Sequence, residues 1–125
     1  MKIRGSLIAY LFILGHFWPI SAYSGEGSYT DNQIADAIYK AEGGKKAKKP
    51  YGILSVPCDS EDSCRQICLN TIRNNRKRFK KQTKYTEYLD FLASRYAPIG
   101  AENDPRGLNK NWLKNVKGFL NADKN

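Results

Sequence analysis

Histidine is nearly absent from this chain of 125 residues. The single imidazole, His16, lies inside an apolar N-terminal stretch. The rest of the chain therefore has no imidazole to serve as the base of a catalytic triad or dyad, and none to bind a metal. We exclude histidine-dependent catalysis, and we expect neither a metal nor a cofactor.

Cysteine is scarce as well, with only Cys58, Cys64 and Cys68. In an oxidising compartment an odd count leaves one thiol unpaired. Cys64 and Cys68 share a helical face at a spacing that is poor for a disulfide, whereas Cys58 in the preceding loop can reach either of them. We predict a Cys58 disulfide with Cys64 or Cys68, and a monomer or a dimer linked through the leftover thiol. Without a neighbouring base no thiol is predicted to be a nucleophile, and three thiols fall short of the four ligands of structural zinc.

The chain has one long apolar run, Leu7 to Phe17. It follows the cations Lys2 and Arg4 and precedes small residues at positions 21, 22 and 24. This order is typical of a cleaved export signal, and the run is short for the roughly 20 apolar residues that span a bilayer, which an uncleaved anchor would need. We predict a signal peptide over residues 1–24, a single domain over 25–125, and a secreted or periplasmic protein.

Acidic residues are outnumbered by basic ones. Removal of Lys2 and Arg4 reduces the 21 basic residues to 19, which leaves a charge of +7 against the 12 acidic residues. An anionic envelope surface is a natural counter-charge for an exported cation. Seven cations cluster late in the predicted second helix, and because of export we interpret them as a solvated helix end and not as a nucleic-acid site: Arg73, Arg76, Lys77, Arg78, Lys80, Lys81 and Lys84.

Helical periodicity dominates the predicted domain and indicates four helices. Thr30 and Gln33 form a capping-box pattern for the first helix, which stops at the glycine pair 43–44. The others are predicted to begin near residues 59–60, 86 and 109, and the last one to bury Trp112, Leu113, Val116, Phe119 and Leu120. An apolar, β-prone segment over 51–56 follows the first helix. The fold class is therefore mainly α, with one short extended segment in an α+β domain.

Glu42 violates a local rule, because it occupies the last turn of the first helix, where the helix dipole disfavours a carboxylate. The dipole and burial would both raise its pKa. A carboxylic acid that is still partly protonated near neutral pH is the proton donor that glycosidic-bond cleavage needs. The alternative is a surface glutamate beside a glycine cap, compensated by Lys45 and Lys46.

Two stretches around Glu42 carry a resemblance. The sequence IYKAEGG at 38–44, followed by YGILS at 51–55, resembles the catalytic half of the lysozyme-like superfamily, as in lytic transglycosylases and phage muramidases. The later DP at 104–105 and LNKNWLKNV at 108–116 resemble the tail of such domains. The resemblance implies that Glu42 protonates the oxygen between N-acetylmuramic acid and N-acetylglucosamine. It also implies a cleft lined by Tyr51, Gly52 and Ser55, while Trp112 either packs in the core or stacks on a sugar.

A hydrolytic lysozyme needs a second carboxylate about 5 to 9 Å from the first. Asp59 is the nearest downstream candidate, and it equally resembles a helix N-cap. Asp90 is predicted on an exposed face of the third helix. Without a clear second acid we predict a peptidoglycan lytic transglycosylase in preference to a muramidase. The alternative class is a non-catalytic, cationic cell-wall-binding or inhibitory protein on the same scaffold.

Overall fold

A computed structural model describes residues 29–125, so the predicted signal peptide lies outside the described residues. The helices are α1, Asp31–Ala41; α2, Glu61–Phe79; α3, Tyr88–Tyr96; and α4, Trp112–Ala122. Short 3₁₀ turns occupy Gly44–Lys46, Pro50–Gly52 and Leu108–Asn111. The mainly α prediction is confirmed. Within residues 29–125, no helix combines the length and the apolar character needed to cross a bilayer.

The predicted extended segment after α1 does not form a strand. Pro50–Gly52 closes a 3₁₀ turn, in which the Gly52 amide donates to the Lys49 carbonyl at 2.9 Å. Residues 53–60 are irregular, and no strand forms anywhere in the described chain. The β-prone residues lie between Pro50 and Pro57, which supply no backbone donor, and a strand needs a partner that this fold does not provide.

The ends of α1 follow the sequence signals. Thr30 accepts the Gln33 amide at 3.2 Å, and the Gln33 side chain accepts the Thr30 amide at 2.9 Å. At the other end Glu42 is the C-cap residue, and Gly43 follows with a left-handed φ of 100°. A left-handed residue terminates a helix at little cost only when it has no Cβ. Glu42 is thereby fixed at the last position before the chain turns away.

The start of α2 is fixed by Ser60 and Ser63, which exchange amide-to-hydroxyl hydrogen bonds of 3.1 Å each. Just before it, Cys58 forms the disulfide with Cys64, whereas Cys68 is free and buried. One of the two predicted pairings is thus the one observed. Because the Cys68 thiol is inaccessible, it cannot link two chains unless the domain opens.

The core surrounds α1, which packs on both α2 and α4. Its Ile34 and Ile38 are fully buried, together with Ile72, Leu92 and Val116 from the other three helices. On α4 the buried stripe repeats every fourth residue and consists of Trp112, Val116 and Leu120. Burial of Phe119, predicted from the sequence, is wrong: its side chain is 36% exposed, because position 119 falls on the flank of this stripe.

Candidate functional site

Glu42 and Trp112 form the centre of the candidate site. The Trp112 indole Nε1 donates a hydrogen bond to Glu42 Oε1 at 2.9 Å. The carboxyl group is partly buried between the end of α1 and the start of α4. Burial raises the pKa of Glu42, and the Trp112 hydrogen bond, which favours the ionised form, opposes this rise without cancelling it.

Gly52 lies directly against this carboxyl group. A Cβ added to Gly52 would be 2.6 Å from Glu42 Cδ and 2.7 and 2.8 Å from its two oxygens. The backbone of Gly52 is also left-handed, with φ of 67°. Both the close approach and the backbone conformation require glycine here.

Tyr51, the residue before Gly52, also has a φ of 67°, which is unusual for a residue with a side chain. Two contacts hold it there: its buried ring packs on Tyr39 at 5.1 Å, and its carbonyl accepts the Tyr96 hydroxyl. Arg65 donates to its hydroxyl at 3.3 Å. The buried side chain of Tyr51 therefore anchors the loop that contains Gly52 to the core.

Tyr96 connects this loop to the tryptophan. Its ring stacks on Trp112 with a centroid separation of 5.0 Å and an interplanar angle of 25°. Its hydroxyl donates to the Tyr51 carbonyl and contacts the Cys68 sulfur at 3.7 Å. Burial is the main reason that the pKa of Tyr96 is raised, so the phenol remains a donor. Tyr96 thus braces Trp112, which hydrogen-bonds the Glu42 carboxyl, and Tyr51, the residue before Gly52.

A groove of about 500 Å³ opens above these residues, which we call the Glu42 groove. Its polar wall residues are Lys48, Lys49, Asn103, Asp104 and Asn109. Glu42, Gly52, Tyr96 and Trp112 form the inner part, and Leu54, Pro98 and Leu108 lie among the apolar lining residues. The groove therefore combines a partly buried acid with amide and ammonium groups.

Asp104 is the other carboxylate that lines the Glu42 groove. Both of its oxygens are engaged by backbone, since Oδ1 accepts the Leu108 amide at 2.8 Å and Oδ2 accepts the Asn109 amide at 2.7 Å. These bonds cap the 3₁₀ turn before α4. Asp104 therefore has a structural role that Glu42 lacks.

The structure separates the cleft residues named in the sequence analysis into three groups. Glu42, Gly52 and Trp112 meet at the groove. Tyr51 is buried beneath it, and Ser55 is exposed in a neighbouring depression with Ile53 and Arg95. Trp112 is only 7% exposed and its ring is covered by Tyr96, so its main contact at the site is the hydrogen bond to Glu42.

The proposed second carboxylate, Asp59, does not line the Glu42 groove. It is exposed at the start of α2, where its Oδ1 accepts the Ser63 hydroxyl at 3.0 Å. The cap itself is Ser60. No local pattern marks Asp104 or Tyr96 as a cleft residue, because only the tertiary structure brings 96 and 104 to the same groove as Gly52.

The basic run late in α2 is partly structural. Arg76 donates to Asp31 Oδ1 and to the Tyr29 carbonyl at 2.6 Å each, and its guanidinium lies 4.4 Å above the Tyr88 ring. Arg73 is 3.6 Å from the same aspartate. The remaining cations, at 77, 78, 80, 81 and 84, are exposed.

The described residues contain no group of three or more potential His, Cys, Asp or Glu metal ligands. Comparison of the chain with protein-family models, with curated proteins and with solved structures returns no match.

Proposed function

We propose that this protein is an exported peptidoglycan-cleaving glycosidase, a lytic transglycosylase or muramidase with Glu42 as general acid and base. The observation that carries the proposal is the Glu42 carboxyl, partly buried at the base of a groove and held by the Trp112 indole. A raised pKa keeps more of this group protonated near neutral pH than is usual for a glutamate. Proton donation to a glycosidic oxygen requires that form.

Of the two reactions, we favour transglycosylation. Glu42 donates its proton to the bridging oxygen as the bond from that oxygen to C1 of N-acetylmuramic acid breaks. The C6 hydroxyl of the same sugar then forms a bond to C1 and gives its proton to the Glu42 carboxylate. The proton is restored to Glu42, no water is consumed, and the product carries a 1,6-anhydro end.

The lack of a second available acid supports this preference. Asp104 is the other carboxylate of the groove, and backbone amides already occupy both of its oxygens. These bonds hold Asp104 against the turn that it caps. Transglycosylation needs only one acid, which donates a proton and then takes one back.

The walls of the groove suit the glycan strand as a substrate. Amide groups of Asn103 and Asn109 can exchange hydrogen bonds with sugar hydroxyl and acetamido groups. Lys48 and Lys49 place positive charge beside a polymer whose side peptides carry carboxylates. The exposed cations at the end of α2 and just after it add a secondary attraction to an anionic envelope.

Murein sacculi provide the test. The purified protein is expected to release soluble muropeptides, and Glu42→Gln is expected to release at least a hundredfold fewer. Glu102→Gln, which changes an exposed glutamate outside the groove, is the matched control and should retain full activity. An anhydro end is one water lighter than a hydrolysed end, so product mass separates the two reactions. Equal release by wild type and Glu42→Gln would overturn the proposal.

The alternative is a non-catalytic, cationic cell-wall binder or inhibitor on this scaffold. The Lys48 and Lys49 side chains at the groove favour binding of an anionic polymer in either case. A protein that co-sediments with sacculi and releases no muropeptides would support this alternative.

A further inference from the structure

A second cavity lies between α3 and the start of α4. It has a volume of about 430 Å³ and a lining that is more apolar than that of the Glu42 groove. Its lining includes small side chains at Ala93 and Ser94 of α3 and at Ala97 just after it, which form what we call its floor, and Leu113 of α4. Ile99 lies at its edge and is 81% exposed. We call this feature the α3–α4 cavity.

Opposite charges accompany the apolar floor of the cavity. Asp90 of α3 and Lys110 of the 3₁₀ turn both line it. The ion pairs of the described chain involve neither of these two residues. An occupant with small apolar groups, at least one carboxylate and one amine would therefore match the lining in both polarity and charge.

The α3–α4 cavity is adjacent to the Glu42 groove. Ala97, Pro98 and Asn109 line both of them. The Asn109 side-chain Nδ2 donates to the Pro98 carbonyl at 2.9 Å, so these two residues are held together where the two spaces meet. If a branched polymer occupied the Glu42 groove, a side branch that crossed Pro98 and Asn109 would enter the α3–α4 cavity.

We propose that the α3–α4 cavity binds the stem peptide of peptidoglycan. The inference rests on the proposed function, in which the glycan strand lies in the Glu42 groove. The peptide leaves the strand sideways from the lactyl group of N-acetylmuramic acid. Its alanine methyl groups suit the floor of small residues, its carboxylates suit Lys110, and the free amine of its diamino acid suits Asp90. The protein would therefore select strands that carry peptides over strands from which an amidase has removed them.

Cleavage of the two kinds of strand tests the selection. Wild type is expected to cleave intact strands about tenfold faster, at low substrate concentration, than strands stripped of peptides, since a hydrogen bond to a charged group is worth about that factor. Lys110→Gln and Asp90→Asn should each remove most of this preference and leave cleavage of stripped strands unchanged. Lys114→Gln, an exposed change on α4 outside the cavity, is the control. Equal cleavage of both strands by wild type would overturn the inference while leaving the proposed function intact.

A binding measurement keeps the inference testable if no strand is cleaved. The probe is the isolated tetrapeptide L-Ala–D-Glu–diaminopimelate–D-Ala, added at millimolar concentration to isotopically labelled protein. Backbone amide shifts are expected at Ala93, Ser94, Ile99 and Lys110, and the same peptide with its carboxylates amidated should cause much smaller ones. Shifts in a protein that cleaves nothing would support the cavity as a peptide site and refute the glycosidase. Absence of shifts at these four residues would overturn the inference.

Discussion

The Trp112 indole Nε1–H donates a hydrogen bond to Glu42 Oε1, although the two residues are 70 positions apart in the sequence. The distance of 2.9 Å is that of a well-formed hydrogen bond. The bond favours the ionised carboxylate, whereas burial of the same group favours the neutral acid. Burial is the larger effect, so the pKa of Glu42 lies above its ordinary value. The tryptophan therefore orients the acid and limits how far its pKa rises.

Replacement of Trp112 by phenylalanine tests this balance. The variant keeps a ring beside Tyr96 and loses the donor, so the pKa of Glu42 should rise further. Because proton donation fails once the acid ionises, the alkaline limb of the rate profile should move to higher pH. The measurement is initial muropeptide release at pH 4 to 9. Tyr29→Phe is the control: it removes the hydrogen bond from the Tyr29 hydroxyl to Asn121 and should leave the profile unchanged. A limb displaced to lower pH would show that water has replaced the indole as donor.

Gly52→Ala is expected to lower activity about a hundredfold. The new methyl group would lie 2.6 Å from Glu42 Cδ, so either the carboxyl group or the loop must move. Displacement of a reacting group by about 1 Å costs about a hundredfold in rate. Muropeptide release measures this loss, and thermal denaturation reports the accompanying loss of stability.

Gly107→Ala is the control for backbone strain at Gly52. Gly107 has a φ of 64°, close to the 67° of Gly52, and an added Cβ there meets nothing within 4 Å. Each alanine should therefore cost roughly 1 to 2 kcal/mol through its left-handed backbone. Only Gly52→Ala should in addition lose activity. Equal rates for the two variants would show that the Glu42 contact does not matter for catalysis.

Local signals account for what the sequence could predict. The capping box at Thr30 and Gln33 and the glycine after Glu42 act within a few residues, so the bounds of α1 follow from the chain itself. The β-prone composition of 51–56 did not produce a strand, because β-branched and apolar residues form a strand only where a partner strand exists. The contacts of Tyr96 with Tyr51 and Trp112 join distant segments, and no spacing rule reveals them.

The three cysteines should respond differently to an alkylating reagent. Burial raises the pKa of the Cys68 thiol to about 11, and Cys58 and Cys64 are joined as a disulfide. Iodoacetamide at pH 8 should therefore leave the native protein unmodified. After denaturation without reductant, intact mass should show one added group, and after reduction it should show three. Modification of the native protein would contradict the buried position of Cys68.

Glu42→Gln should raise the thermal stability of the protein while it removes activity. A carboxyl group whose pKa is higher in the folded than in the unfolded state favours folding below its unfolded pKa, and this contribution is lost as pH rises through the folded pKa. The amide avoids that loss, so the melting temperature of the variant should exceed that of wild type at pH 7. The gain should shrink towards pH 4, where the wild-type acid becomes neutral. Glu102→Gln, at an exposed position outside the Glu42 groove, is the control for the loss of one negative charge. A Glu42→Gln variant less stable than wild type at pH 7 would mean that the ionised Glu42 supports the fold instead of straining it.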